Sequence, residues 1–340
     1  MKVIYDYSRK WFEDYFVSKG LAKFRATQVF EALYSKQVES FDEITNINKE
    51  VKAMLSNEFT FESLKVEKIQ ESFDGTTKFL FKLSDGNLIE TVLMVHDYGM
   101  SVCVTTQVGC NMGCKFCASG VLKKVRDLSS GEIVLQVLNI DKYLKKQGKR
   151  VSHVVVMGIG EPFDNYDNVM EFIKIINDDK GLQIGSRHIT VSTCGIVPKI
   201  KEFINDGKQV NLAISLHAPN NEIRNKIMPV NKAYNISEVM SAIKDYINKT
   251  NRRVTIEYVM LNMVNDSIDN AKELAKLLKG MNVYVNLIPY NETNNIDFKK
   301  SERIKEFKDT LLNCGINATV RREFGGNISA ACGQLRSKEV

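Results

Sequence analysis

Apolar residues recur at helical spacing along the first sixty positions: Trp11, Phe12, Tyr15 and Phe16 fall at i, i+1, i+4 and i+5, and Val29, Phe30, Leu33 and Tyr34 repeat the arrangement. Such spacing gathers apolar side chains on one face of a helix, and the faces need a cover. A third helix over 49–59, with Val51, Met54 and Leu55 inward, completes a small helical module over residues 1–60. The period then changes. Thr76-Thr77-Lys78-Phe79-Leu80-Phe81-Lys82-Leu83 and Leu88-Ile89-Glu90-Thr91-Val92-Leu93 flank the turn Ser84-Asp85-Gly86-Asn87, which predicts a β-hairpin within a 61–98 extension.

From about residue 100 short β-rich apolar runs alternate with helical patterns. The strand candidates are 101–105, 153–157, 188–192, 209–215, 253–260, 283–288 and 317–321; helical spacing occupies 131–145, 169–177, 236–249 and 267–278. This alternation predicts an α/β class with parallel strands and helical crossovers, either a barrel or an open doubly wound sheet. Small and polar residues follow several strands (Gly158-Ile159-Gly160-Glu161, Ser192-Thr193, Ser215-Leu216-His217, Pro289-Tyr290-Asn291). That places a site at the C-terminal strand ends, where parallel α/β folds bind ligands. The glycines at 158 and 160 do not form a dinucleotide fingerprint, because Phe163 takes the third glycine's place.

Composition narrows the class. With 44% hydrophobic and 26% charged residues in 340, and only 5 Pro, the chain has material for a large core. The charged start Met-Lys-Val-Ile-Tyr-Asp and the lack of a long apolar run argue against secretion and membrane spanning and for the cytoplasm. The net charge of +6 leans toward a polyanionic partner. Lys123, Lys124 and Arg126, then Lys145, Lys146, Lys149 and Arg150, then Arg321 and Arg322, are candidate phosphate-contacting clusters or solvated faces.

The strongest chemical signal is Cys110-Asn111-Met112-Gly113-Cys114-Lys115-Phe116-Cys117, a C-x₃-C-x₂-C loop after the first core strand. Seven cysteines, three within eight residues, are a poor disulfide framework. Three thiolates suit three irons of a [4Fe–4S] cluster and leave the fourth iron open. Zinc, which would close its tetrahedron with a fourth ligand, is the alternative metal.

This loop resembles the signature of radical S-adenosylmethionine (SAM) enzymes. The resemblance narrows to the RlmN/Cfr family of RNA adenosine methyltransferases through blocks in order along the chain: Phe24-Arg25-Ala26-Thr27-Gln28-Val29-Phe30, Thr106-Gln107-Val108-Gly109-Cys110, Met157-Gly158-Ile159-Gly160-Glu161-Pro162, Ile214-Ser215-Leu216-His217-Ala218-Pro219 and Ala330-Ala331-Cys332-Gly333-Gln334-Leu335. The resemblance implies a partial (β/α)6 radical-SAM barrel over 99–325, carrying the helical module and the hairpin, and a C-terminal tail over 326–340.

It also implies roles. One [4Fe–4S] cluster would sit on Cys110, Cys114 and Cys117, and two SAM molecules would be consumed per turnover. Cys332 would accept a methyl group from the first SAM, and the second would give the radical that activates it for addition to adenine. Cys103 would resolve the adduct, ending in a Cys103–Cys332 disulfide reduced each cycle. Glu90 or Cys103 would accept the adenine proton. Gly160 and Glu161 would face the SAM amino group, with Ser192, Ser215, Leu216, His217 and Asn291 around the rest. Cys194 and Cys314 match no such role and read as structural thiols, and Asn327 and Ser329 replace acidic residues usual in the family's tail.

The implied substrates are an adenosine in the peptidyl-transferase region of 23S rRNA and the adenosine 3′ of the anticodon in tRNAs, methylated at C2. The chain is expected to be a monomer served by an external electron donor of flavodoxin type. The block Gly160-Glu161-Pro162-Phe163-Asp164-Asn165 favours C2. The alternatives are C8 methylation and a non-catalytic iron–sulfur RNA-binding protein.

Overall fold

In the computed structural model, which describes residues 1–207, 209–292 and 296–335, each apolar stripe of the first sixty residues is buried. Helix α1 (Arg9–Ser18) buries Phe12, Tyr15 and Phe16; α2 (Phe24–Glu31) buries Ala26, Val29 and Phe30. The second stripe runs on through a π-helical turn, Ala32–Lys36, that covers Leu33 and Tyr34. Asn48 caps α3 (Lys49–Glu58) by accepting from the Val51 N–H at 3.0 Å, satisfying a donor the helix leaves free. Val51 and Leu55 are buried and Met54 packs at the edge of the core. The last five residues of the expected tail, 336–340, lie outside the described residues.

The module covers itself with the main body. Gly131 opens α4 (Ser130–Lys145), and its N–H donates to Asp6 Oδ1 at 2.8 Å. A Cβ at 131 would sit 2.8 Å from that oxygen, so glycine permits the approach. Arg9 Nε donates to both oxygens of Asp178, at 3.1 and 2.9 Å. Residues of α1, α2 and α4 share one hydrophobic cluster with the central sheet.

That sheet has ten strands: β1 (Lys65–Glu71), β2 (Thr77–Lys82), β3 (Leu88–His96), β4 (Gly99–Cys103), β5 (Val151–Val156), β6 (Ile189–Thr193), β7 (Asn211–Ser215), β8 (Val254–Met260), β9 (Val283–Pro289) and β10 (Ala318–Val320). They lie side by side in chain order. From β4 to β10 all neighbours are parallel. The crossovers are α4, α5 (Tyr166–Asn177), α6 (Val197–Asp206), α7 (Asn221–Ile227) with α8 (Ile236–Thr250), α9 (Ile268–Leu278) and α10 (Ile304–Asn313). Six βα units and a seventh strand make an open, barrel-like α/β sheet with β10 and β1 at its edges.

The hairpin forms as β2–β3, Thr77 opposite Leu93 and Lys82 opposite Leu88. It also pairs onward, β3 with β4, so it lengthens the central sheet instead of projecting from it. The cause is burial on both faces: positions 77–81 and 89–94 are buried without alternation, and strands of that kind need a neighbour on each side.

Candidate active site

The cysteine loop is built between β4 and α4. Gln107–Val108 pairs with Arg126–Asp127, which pins the two ends of the loop together. Gly109, at φ +79°, lets the chain double back where a Cβ would lie 2.2 Å from the Lys123 carbonyl oxygen; only glycine fits there. The Lys115 N–H donates to the Ile227 carbonyl at 2.9 Å, docking the loop on the end of α7. Cys110, Cys114 and Cys117 are half-buried and line one cavity. Burial pushes the Cys110 thiol up to about 12 and Cys114 well above its usual range, and in both cases the Cys117 charge adds to the shift.

Three thiols that repel one another's charge share a small space, and bound cations would relieve the repulsion. Among the described residues no three His, Cys, Asp or Glu side chains converge as closely as a single ion requires. A cluster in which each thiolate takes a different iron fits the donor set.

The same cavity collects the strand ends. It is lined by Val92 of β3, Cys103 of β4, Val156 of β5, Ser192 of β6, Ser215 of β7, Glu257 of β8, Ile288 of β9 and Arg321 just past β10, so the sheet curves around it. Gly160 (φ +107°) turns the chain where a Cβ would sit 2.7 Å from Gln107 Cβ. The turn aims Glu161 inward: its Oε1 accepts from the Phe163 N–H at 3.0 Å and its Oε2 from the Cys194 N–H at 2.8 Å. Burial pushes its carboxyl above the usual range while these donors work against the shift.

Ser192 Oγ and Ser215 Oγ stand 3.4 Å apart, and Asn291 Nδ2 donates weakly to the Cys332 carbonyl at 3.4 Å. His217 adopts φ +58°, and its Nδ1 accepts from the Val259 N–H at 3.0 Å. When neutral, its proton is therefore on Nε2. Burial, then the Arg224 charge, lower its pKa to about 3. Leu216 stands apart: its side chain lies in the main core, and its backbone N–H and C=O are engaged by the Glu257 carbonyl and Arg224 Nε.

The tail lines the mouth of the cavity. Gly325 N–H donates to Asp74 Oδ2, Lys78 Nζ to the Ser329 carbonyl, Ala118 N–H to the Gly333 carbonyl and Ser119 Oγ to the Leu335 carbonyl, at 3.0, 3.3, 2.8 and 2.9 Å. Asn327, one of the substitutions in the tail, accepts from Ser72 Oγ. Cys332 thereby enters the cavity that Cys103 lines. Both are free thiols here, so the expected disulfide is not a feature of this structure. Glu90 lies off the cavity lining, buried on β3 and ion-paired at 2.9 Å with Lys78.

Two family models match. The Radical SAM superfamily model covers residues 104–278, just over half of the chain, and the ribosomal RNA large subunit methyltransferase N-terminal domain model covers 3–60. A protein of Listeria welshimeri described as "probable dual-specificity RNA methyltransferase RlmN" is 59% identical over 97% of this chain and 91% of its own length. The chain belongs to the RlmN family of radical SAM RNA methyltransferases. An RlmN of Spiroplasma citri is 56% identical over 99% of this chain and 98% of its own. A solved radical SAM methyltransferase from Sphaerobacter thermophilus superposes with a TM-score of 0.93 at 41% identity, covering 99% of this chain and all of that one.

In this RlmN-family site two charged residues were not expected. Glu257 interrupts the apolar run 254–260 of a buried parallel strand, which is itself a signal. Arg321, a member of the candidate basic cluster at 321–322, lines the cavity together with Arg322. The other basic groups are also partly spent: Lys124 pairs with Asp127 and Asp164, Arg126 with Asp85 and Glu132, and Lys145 with Asp141. Ion pairing inside the fold outcompetes a free patch wherever a carboxylate is in reach. Cys194, read as structural, lines the cavity and holds Glu161 through its N–H.

Proposed function

We propose that the chain methylates C2 of adenosine in the peptidyl-transferase region of 23S rRNA and 3′ of the tRNA anticodon, with Cys332 carrying the methyl group. The observation that carries this is the convergence of Cys332, Cys103 and the three-cysteine loop on one cavity. When held by Cys110, Cys114 and Cys117, a [4Fe–4S] cluster would supply the electron for SAM cleavage, fed by an external donor of flavodoxin type. Glu161, buried and ringed by N–H donors, offers a carboxylate to the SAM ammonium, with Gly160 giving close backbone access. Ser192, Ser215, His217 and Asn291 supply hydroxyl, Nε2–H and amide groups around it, with Leu216 filling the core behind them.

Cys332 accepts the methyl group and carries it to the base. Cys103 then releases the product: its thiolate attacks the Cys332 sulfur, and the S–S bond forms as the bond from that sulfur to the transferred carbon breaks. The carbon keeps the electron pair and takes a proton to become the methyl group, and the bridge is reduced by an external thiol before the next cycle. Glu90, tied to the tail through Lys78, or Cys103 takes the proton. Two SAM molecules and one cluster serve each turnover of a cytoplasmic monomer. The module 1–60 is assigned to RNA contact. Among the described residues no helix is long and apolar enough to cross a membrane.

The test is nucleoside mass spectrometry after anaerobic incubation of the reconstituted, reduced protein with methyl-labelled SAM and unmodified rRNA. Labelled 2-methyladenosine is expected from the native chain and none from Cys332→Ala, with cluster absorbance and RNA binding kept by the variant. Labelled 8-methyladenosine instead would overturn the C2 assignment, and undiminished product from Cys332→Ala would overturn the carrier.

A further inference from the structure

Arg321 extends β10 by one residue, its N–H donating to the Leu287 carbonyl at 2.8 Å. Its guanidinium turns into the cavity with 22% of the side chain exposed. Among the described residues its donors meet only Met157 Sδ, at 3.9 Å, and Glu257 Oε2, at the long limit of 4.0 Å. Glu257 already accepts from Asn286 Nδ2 at 2.9 Å, so the carboxylate is shared and the fork of N–H groups is largely unspent. Structural arginines in cores are saturated with acceptors, as Arg224 is here by the Leu216, Tyr234 and Cys194 carbonyls and Asn231. An unsaturated guanidinium that lines the same cavity as the Cys103 and Cys332 thiols asks for an anionic partner.

We infer that Arg321 is a positioning residue that supplies the counter-charge under which the Cys332 thiol becomes the methyl-accepting nucleophile. The inference rests on the reading of Cys332 as methyl carrier. Methyl acceptance needs a thiolate: the proton leaves to water, the sulfur lone pair forms the new C–S bond, the sulfonium C–S bond breaks, and S-adenosylhomocysteine departs.

Although Cys332 is exposed at the cavity mouth, desolvation against the lining raises its pKa, Arg321 lowers it, and Glu257 and Cys117 raise it further. Cys103, pushed up to about 12 by burial and then by Cys332, is also drawn back by Arg321. The other charged groups of the rim are engaged elsewhere: Arg322 lies over the Phe324 ring, 5.2 Å from its centroid, and Glu323 pairs with Lys300. Arg321 is thus the cation that favours the thiolate.

The test is the rate of iodoacetamide alkylation at Cys332 against pH, read peptide by peptide by mass spectrometry. It uses full-length chain whose cluster is reconstituted before any SAM is added. The exposed Cys314 is the reference within each sample. Arg321→Gln should slow Cys332 alkylation at pH 8 at least tenfold and move its pH midpoint upward. Arg321→Lys, which keeps a more hydrated cation on a shorter reach, should be intermediate, about threefold slower. Cys314 rates should not change.

A Cys332 rate and midpoint equal to the native ones in either variant overturns the inference; if the Gln variant fails to load its cluster, the Lys variant decides. The carrier reading is tested separately by looking for a labelled methyl group on Cys332 of the native protein after SAM is added. Its absence would sink that reading while leaving the alkylation result standing.

Discussion

At the scale of single residues, the site relies on side chains whose charge state is set by burial. His217 is held neutral by burial and then by the nearby Arg224 charge, a state that matches its Nδ1 accepting from the Val259 N–H. Its folded pKa of about 3 lies below the unfolded value of 6.5, so the unfolded state binds the extra proton. Stability is therefore intact above about pH 6.5 and falls as pH drops from there toward 3. His217→Ala removes the Nδ1 acceptor and leaves the buried Val259 N–H unpaired, at a cost of about 1–3 kcal/mol. Denaturant titrations between pH 4 and 7 should show both the loss and a pH dependence shallower by about one proton; an unchanged slope would refute this account of His217. Glu257 and Arg321 show the limit of reading residues one at a time. Each is ordinary in sequence, and only their meeting at the cavity gives them a chemical environment.

At the scale of elements, the alternation of β-rich and helical runs was readable because strand and helix periods differ and caps mark the boundaries. Ser129 and Asn235 form capping boxes with Glu132 and Glu238 at the starts of α4 and α8, both S/T/D/N-x-x-E patterns. The hairpin was also readable, though not its continuation into the sheet, because pairing beyond the hairpin depends on β4. The loops that position chemistry depend on close backbone approach instead of periodicity. Gly160→Ala forces a side chain to φ +107° and onto Gln107, a strain of about 1–3 kcal/mol. It should lower the unfolding midpoint and weaken SAM binding at least tenfold by calorimetry, since the turn carries Glu161. In contrast, Gly148→Ala, in open surroundings at a similar left-handed turn, should lower stability without touching SAM affinity. Equal SAM affinities in both variants would refute the positional role of Gly160.

At the scale of the whole molecule, the helical module and the sheet are one packed body: Ile4, Tyr5, Phe12, Phe16, Phe30 and Tyr34 are buried in the same cluster as Val134, Val137 and Phe172 of the crossovers. Deleting residues 1–60 uncovers that surface, and the remaining chain should partition to the insoluble fraction on expression. A soluble, cooperatively unfolding 61–340 fragment would show that the module is dispensable to the core. The sequence by itself determined many of the helical and strand segments, though not α6, α7, α10 or the edge strand β1, the parallel α/β class, the gathering of three soft thiol donors in one loop and, through motif blocks spread along the chain, the family. These are local or short-range properties, written in periodicity, in caps and in the identity of soft thiol donors. Tertiary structure alone decided that the tail lines the cavity, that Arg321 and Cys332 border it together while Arg322 stacks on Phe324, that Glu90 pairs with Lys78, and that Lys124, Arg126 and Lys145 are spent on carboxylates. The tail contacts join residues hundreds of positions apart, Asp74 with Gly325 and Ser119 with Leu335; where partners lie within a dozen positions, as Lys78 and Glu90 do, which of the available charges pair is still fixed by the packing of the sheet and loops around them.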